Sequence, residues 1–207
     1  MGQMTSTVRS GETAQRILDI AERLMQVRGY NGFSYADIAE TMRLTKASLH
    51  YHFPSKAELG RRLMERYIEN FLIALGRIDA ADSPAREKLQ RYVSIYSDVL
   101  ANKRMCLCGM LAAEYATLPK SVKAEVTRFF DANETWLTGV LEQGTRSDGL
   151  KFSGQPDETA RTIIATLEGA MMLARTYDDV ERFNRAARHL LAGIAGSPSA
   201  RERQTAT

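Results

Sequence analysis

This 207-residue chain is poor in the residues that staple, metallate or extend a fold: it has five prolines, two cysteines, three histidines and one tryptophan. Cys106 and Cys108 lie only two positions apart. That spacing cannot staple a domain, so a disulfide framework is excluded and a reducing, cytoplasmic setting is expected. No stretch approaches the roughly 20 apolar residues of a membrane span. The polar N-terminal residues lack the apolar core of a signal peptide, so no membrane partner is expected. A nucleophile elbow, a glycine-rich phosphate loop and an HExxH pattern are all missing, and no carboxylate pair stands out. These absences argue against an enzyme, and they predict no catalytic residues, no cofactor and no metal site.

What is abundant is Leu, Ala, Glu, Arg and Met, with short β-branched runs and with Gly and Pro mostly at segment boundaries. That composition predicts an all-α fold of one or two compact domains. Apolar residues at helical spacing predict helices over about 13–28, 56–75, 84–101, 105–117, 120–146, 157–177 and 179–195. With two short helices between 34 and 53 the total is about nine. Residues 1–10 and 197–207 are polar and aperiodic, and are expected to be disordered. No internal repeat is present.

The most informative segment is 34–58, SYADIAETMRLTKASLHYHFPSKAE. Ser34 is placed to cap a first short helix, with Asp37 completing a capping box. Ile38, Ala39 and Met42 give that helix one apolar stripe, and the small Ala39 allows a close crossing. Thr45 sits at the N-cap position of a second helix, which Leu49 and Phe53 anchor inward. Lys46, Ala47, Ser48, His50, Tyr51 and His52 are left around its outer side. Pro54 ends the helix, and Ser55 with Glu58 opens the next one. Two compact helices, the second with a basic, hydrogen-bonding face, are what enters a DNA major groove.

Residues 11–60 resemble the N-terminal domain of the TetR family of one-component transcriptional regulators. The resemblance rests on Ile17, Ala21, Gly29-Tyr30, Phe33-Ser34, Ile38-Ala39, Thr45-Lys46-Ala47-Ser48-Leu49 and Tyr51-His52-Phe53-Pro54-Ser55-Lys56. It implies a three-helix DNA-binding domain over 11–56, with the helix-turn-helix at about 34–53, and a helical effector-binding and dimerisation domain over 57–196. One departure is Arg43, where the family usually has Gly. A left-handed Arg there would cost about 1–2 kcal/mol, unless the turn has a slightly different register.

The expected DNA-contacting residues are Ser34, Tyr35, Arg43, Thr45, Lys46, Ala47, Ser48, His50, Tyr51, His52 and Lys56. Residues 43–66 carry Arg43, Lys46, Lys56, Arg61, Arg62 and Arg66 against Glu58 and Glu65, a local charge of +4 on a chain whose formal total is +3. A basic patch on a nearly neutral body suits phosphate binding.

Beyond this domain the expected partners are double-stranded operator DNA, a second copy of the chain and a small-molecule effector. Ile163, Leu167, Ala170, Met171, Ala174, Phe183, Ala187, Leu190 and Leu191 give the last two helices broad apolar faces. The resemblance implies a dimer interface there, and ordinary intrachain core is the alternative. Tyr67, Phe71, Tyr92, Tyr96, Met105, Cys106, Met110, Phe129, Trp136 and Met171 fit an apolar effector cavity, and equally a filled core. Cys106 follows Lys103 and Arg104 at a helix start, where a thiolate is favoured. A thiol-based sensor of electrophiles or oxidants is therefore a second reading, against burial as small apolar side chains. The function that follows is a homodimeric repressor released from a near-palindromic operator by an effector. An architectural DNA binder would have no use for the long helical remainder.

Overall fold

The computed structural model describes residues 2–194, with side chains from residue 11 onward. Among these residues there are nine α-helices: α1 Gly2–Arg28, α2 Tyr35–Met42, α3 Lys46–His52, α4 Lys56–Ala80, α5 Ala85–Ala101, α6 Leu107–Ala113, α7 Lys120–Ser147, α8 Pro156–Thr176 and α9 Val180–Ile194. A single 3-10 turn, Tyr115–Thr117, follows α6. Helices group into two compact units. The first holds the residues up to Asn70 together with Cys106–Phe129; the second holds Phe71–Met105 together with the residues from Phe130 onward.

In the first unit, Ile17, Leu18, Ala21 and Met25 recur every three or four residues along α1 and are all buried. α1 packs on α2 and α3, where Ile38, Ala39 and Leu49 are buried, and Leu59, Leu63 and Met64 of α4 are buried in the same unit. Leu107, Cys108 and Leu111 of α6 are equally buried, and α6 packs against α1. Burying a Leu, Ile or Met side chain is worth about 1.5–3 kcal/mol, so these short helices are held by packing more than by their own propensity.

In the second unit α8 and α9 run along each other, and both pack on α5. A buried hydrogen-bond triangle lies inside it. The Tyr92 hydroxyl donates to Asn133 Oδ1 at 2.8 Å and lies 2.9 Å from the Tyr96 hydroxyl, which accepts from Asn133 Nδ2 at 3.3 Å. Asp79 accepts from Trp136 Nε1 at 2.8 Å and from the buried Lys88 ammonium at 3.2 Å. The buried Tyr92, Tyr96, Asn133 and Lys88 thus each have a partner, as an interior of low dielectric requires.

Three expectations are corrected. The first helix starts at Gly2 rather than near residue 13, so residues 2–10 are helical. No proline interrupts this stretch, and adding turns to an existing helix avoids the cost of nucleation. The segment 105–117 is not one helix: α6 stops at Ala113, because Glu114 and the turn after it take other partners. Six of the nine residues assigned to a dimer interface, namely Ile163, Leu167, Met171, Ala174, Phe183 and Ala187, are sealed inside the unit at 2% exposure or less. The apolar stripe they form is covered by α5, α8 and α9 of the same chain. Ala170, Leu190 and Leu191 remain partly exposed. The apolar side chains that do reach the surface of α8 are Met172 and Leu173, at 55% and 61%, with Tyr177 just after it at 60%. Residues 197–207 lie outside the described residues.

Candidate nucleic-acid interface

The two short helices are built by their caps. Ser34 Oγ accepts from the Ala36 amide at 3.2 Å, and Asp37 Oδ2 accepts from the Ser34 amide at 2.7 Å, closing the capping box. The Ser34 hydroxyl and the Arg28 guanidinium also bond Asp37, and hydrogen bonding, chiefly from Ser34, holds its carboxyl below the usual carboxylate range. Arg43 closes α2 in the left-handed region, at φ 54° and ψ 42°. The turn keeps the ordinary register, with the Leu44 amide donating to the Ala39 carbonyl at 2.9 Å. Thr45 Oγ1 then accepts from the Ser48 amide at 3.2 Å and starts α3.

Leu49 and Phe53 are buried at 1% and 4%, and they orient α3 so that its other faces meet solvent. Lys46, Ala47, His50 and Tyr51 are exposed, Tyr51 at 79%, while Ser48 and His52 are half-buried. His50 is steadied on two sides: Nδ1 lies 3.1 Å from the Pro54 carbonyl, and the ring packs 4.8 Å from that of Tyr35. Tyr51 and His52 meet edge to face at 5.2 Å.

Two of the expected contacts are turned inward instead. Tyr35 is buried and donates its hydroxyl to the Phe53 carbonyl at 2.8 Å. Burial, reinforced by Tyr30 and Glu58, pushes this phenol up to about 12. Lys56 donates to the Phe33 carbonyl and lies over the Tyr30 and Phe33 rings at 4.7 and 4.3 Å. Burial lowers its pKa, against the attraction of Glu114 and Asp37. Both side chains join the segments around α2 and α3. Their inward commitment is a tertiary fact, because neither spacing nor residue type separates a buried Lys from an exposed one.

The basic patch is also smaller than the sequence count. Arg61 is bridged to Glu58 and Glu65 at 2.7 and 2.6 Å, and Arg66 to Asp19 and Glu22 at 2.7 and 2.8 Å. Arg43, Lys46 and Arg62 form no ion pair among the described residues. An open hollow of about 350 Å³ lies where Phe33, Ser34, Tyr35 and Ala36 at the start of α2 meet Lys46, His50 and Lys56. A helix N-terminus beside the exposed Lys46 suits a phosphate.

The residues assigned to an effector cavity divide between the two units. Tyr67 and Phe129, whose rings are 5.8 Å apart, belong to the first with Cys106 and Met110. Phe71, Tyr92, Tyr96, Met105, Trp136 and Met171 belong to the second, where Tyr92 stacks on Trp136 at 5.5 Å. Asn133, fully buried between the two tyrosine hydroxyls, is not among the expected residues; its only mark in the sequence is an amide on an otherwise apolar helix face. Both free thiols are buried, Cys106 at 3% and Cys108 at 0% exposure.

Comparison with known proteins bears on the whole chain. Residues 17–63 match the family model for bacterial regulatory proteins of the tetR family, and residues 85–190 match the tetracyclin repressor-like C-terminal domain. A transcriptional regulator of the TetR family from Agrobacterium tumefaciens is 33% identical, with a TM-score of 0.87 over 90% of this chain and 100% of that one. The reduced form of E. coli NemR has the same fold at 24% identity, with a TM-score of 0.77 over 91% of this chain and 100% of that one. The transcriptional repressor DhaR of Mycobacterium sp. (strain GP1) is 23% identical over 82% of this chain and 87% of its own length. This chain belongs to the TetR family of bacterial regulatory proteins and is a DNA-binding transcriptional regulator.

Proposed function

We propose that the protein is a homodimeric repressor that occupies a near-palindromic operator and leaves it when a small molecule binds the helical part of the chain. The observation that carries this reading is the outer face of α3, where Lys46, Ala47, His50 and Tyr51 are exposed on a helix anchored by Leu49. Phosphate contacts fall to Lys46, Tyr51 and Arg43, and to the hollow at the start of α2. Base edges fall to Ala47, Ser48 and His50, whose methyl, hydroxyl and imidazole groups carry sequence information. Repression needs only occupancy of a promoter, and the relatives DhaR and NemR are named as repressors.

Dimerisation is required to read a palindrome, because two recognition helices must be held one or more DNA turns apart. Met172, Leu173 and Tyr177 are the apolar side chains available for it, with Ala170, Leu190 and Leu191 at its margin. An effector would act by binding the non-operator conformation better, with a coupling of about 1–3 kcal/mol. Burial of Cys106 and Cys108 favours packing over thiol sensing for this pair.

The test is a titration of a palindromic duplex from beside the gene against a random duplex at moderate salt. A preference of about a thousandfold or more is expected. Replacing Lys46 by Ala should weaken both affinities alike and reduce the salt slope by about 1. Equal affinity of the wild-type protein for the two duplexes would leave only an architectural DNA binder.

A further inference from the structure

The turn between α1 and α2 carries an interaction that the DNA-reading segment does not explain. Glu114, at the end of α6 and more than eighty residues away in sequence, presents its carboxylate to two backbone amides of this turn. Oε2 accepts from the Tyr30 amide at 2.5 Å and from the Asn31 amide at 3.2 Å, and Oε1 approaches the latter at 3.4 Å. Beside it, Asn31 Nδ2 donates to Thr117 Oγ1 at 2.7 Å, and that hydroxyl donates to the Glu114 carbonyl at 3.0 Å. The 3-10 turn after α6 thereby closes as a clamp.

Gly29 is shaped to the same group. Its φ of 81° is left-handed, and a Cβ there would stand 2.6 Å from Glu114 Oε1. The carboxylate also lies at the C-terminal end of α1, which is the negative end of the helix dipole and the place least favourable to an anion. What offsets this is the pair of amides and the nearby Lys56, whose ammonium Glu114 attracts. A carboxylate kept against the dipole by backbone amides defines a position. The residues it holds run directly into Phe33 and Ser34, the cap of α2, and so into the hollow beside Lys46 and His50.

We propose that Glu114 is a positioning residue for operator binding: through the Tyr30 and Asn31 amides it fixes the entry of α2, and with it the DNA-facing end of the helix-turn-helix, to the end of α6. It touches no DNA itself. Because α6 opens at the buried Cys106 and packs on α1, any shift of α6 reaches the reading head by this route. The inference rests on the helix-turn-helix being the DNA contact.

The test uses the full chain, a duplex enriched by the wild-type protein from a random library, and an unselected duplex. Glu114→Gln keeps the volume and one acceptor oxygen but removes the charge and puts an NH2 donor where Oε1 faces the Asn31 amide; Glu114→Ala removes the group. Both variants should exchange the Tyr30 and Asn31 amide hydrogens at least about tenfold faster than wild type while the core amides of α1 are unchanged. Affinity for the enriched duplex should fall about fivefold for Gln and more for Ala. The salt slope should stay at the wild-type value, since no phosphate contact is lost. Should the Ala variant unfold, Gln alone decides. Faster exchange with affinity within twofold of wild type would overturn the proposal, because the turn would then be free without consequence for DNA. A slope change of about 1 would also overturn it, by making the effect one of charge at the DNA. If the wild-type protein enriches no sequence at all, the DNA-contact reading fails together with the proposal, an outcome distinct from both.

Discussion

Replacing Arg43 by Gly should move stability and DNA binding in opposite directions. The Arg43 backbone stands at φ 54° and ψ 42°, closing α2 through hydrogen bonds donated by the Arg43 and Leu44 amides to the carbonyls of Glu40 and Ala39. An L-residue there costs about 1–2 kcal/mol relative to Gly. Against this, Gly frees the unfolded chain, at a cost of about 0.4–1 kcal/mol. The side chain is exposed and makes no ion pair among the described residues, so no contact is lost. Arg43→Gly should therefore stabilise the protein by about 0.5–1 kcal/mol, raising the melting temperature by about 1–4 °C. The urea midpoint should rise with an unchanged m-value. If Arg43 holds a phosphate, affinity for every duplex should drop and the salt slope should fall by about 1. Arg43→Lys separates the effects, since it keeps the cation and the strained backbone together. A Gly variant no more stable than wild type would refute the strain argument. An unchanged salt slope would refute the phosphate contact and leave Arg43 as a residue merely tolerated in the turn.

Other consequences can be checked alongside. Leu173→Asp should convert a dimer to monomers in light scattering, whereas Ile163→Ala should leave the mass unchanged and destabilise the fold by about 2–5 kcal/mol; a Leu173→Asp variant with the wild-type mass would exclude that face as the interface. The raised pKa of Tyr35 means that its contribution to stability is complete below its unfolded value of 10.0 and is lost as pH rises from there through about 12. The stability advantage of wild type over Tyr35→Phe should therefore shrink across that window, and parallel urea-midpoint curves would contradict it. A brief iodoacetamide pulse on the native protein should leave Cys106 and Cys108 unmodified until urea unfolds it. Rapid labelling of Cys106 with loss of duplex binding would instead restore the thiol-sensor reading.

The sequence by itself determined most of the elements and the caps of the two short helices. The Ser34–Asp37 box, the Thr45 cap, the Leu49–Phe53 anchor and the Pro54 stop are local, and local hydrogen bonding and helical periodicity are legible along a chain. The same holds for the family, since its motif is a run of contiguous residues. Tertiary structure decided everything that depends on which surfaces meet. An apolar stripe states that a face is buried and not what covers it, so Ile163, Leu167 and Met171 looked alike whether they served a dimer or their own core. A cation in the sequence is a charge without a partner until folding brings Asp19 and Glu22 to Arg66, or turns Lys56 onto Phe33 and Tyr30. Glu114 offered no sequence signal for its part. A carboxylate that binds backbone amides across such a separation follows no spacing rule, because backbone amides are the same at every residue and only the packing of α6 on α1 selects which two it meets.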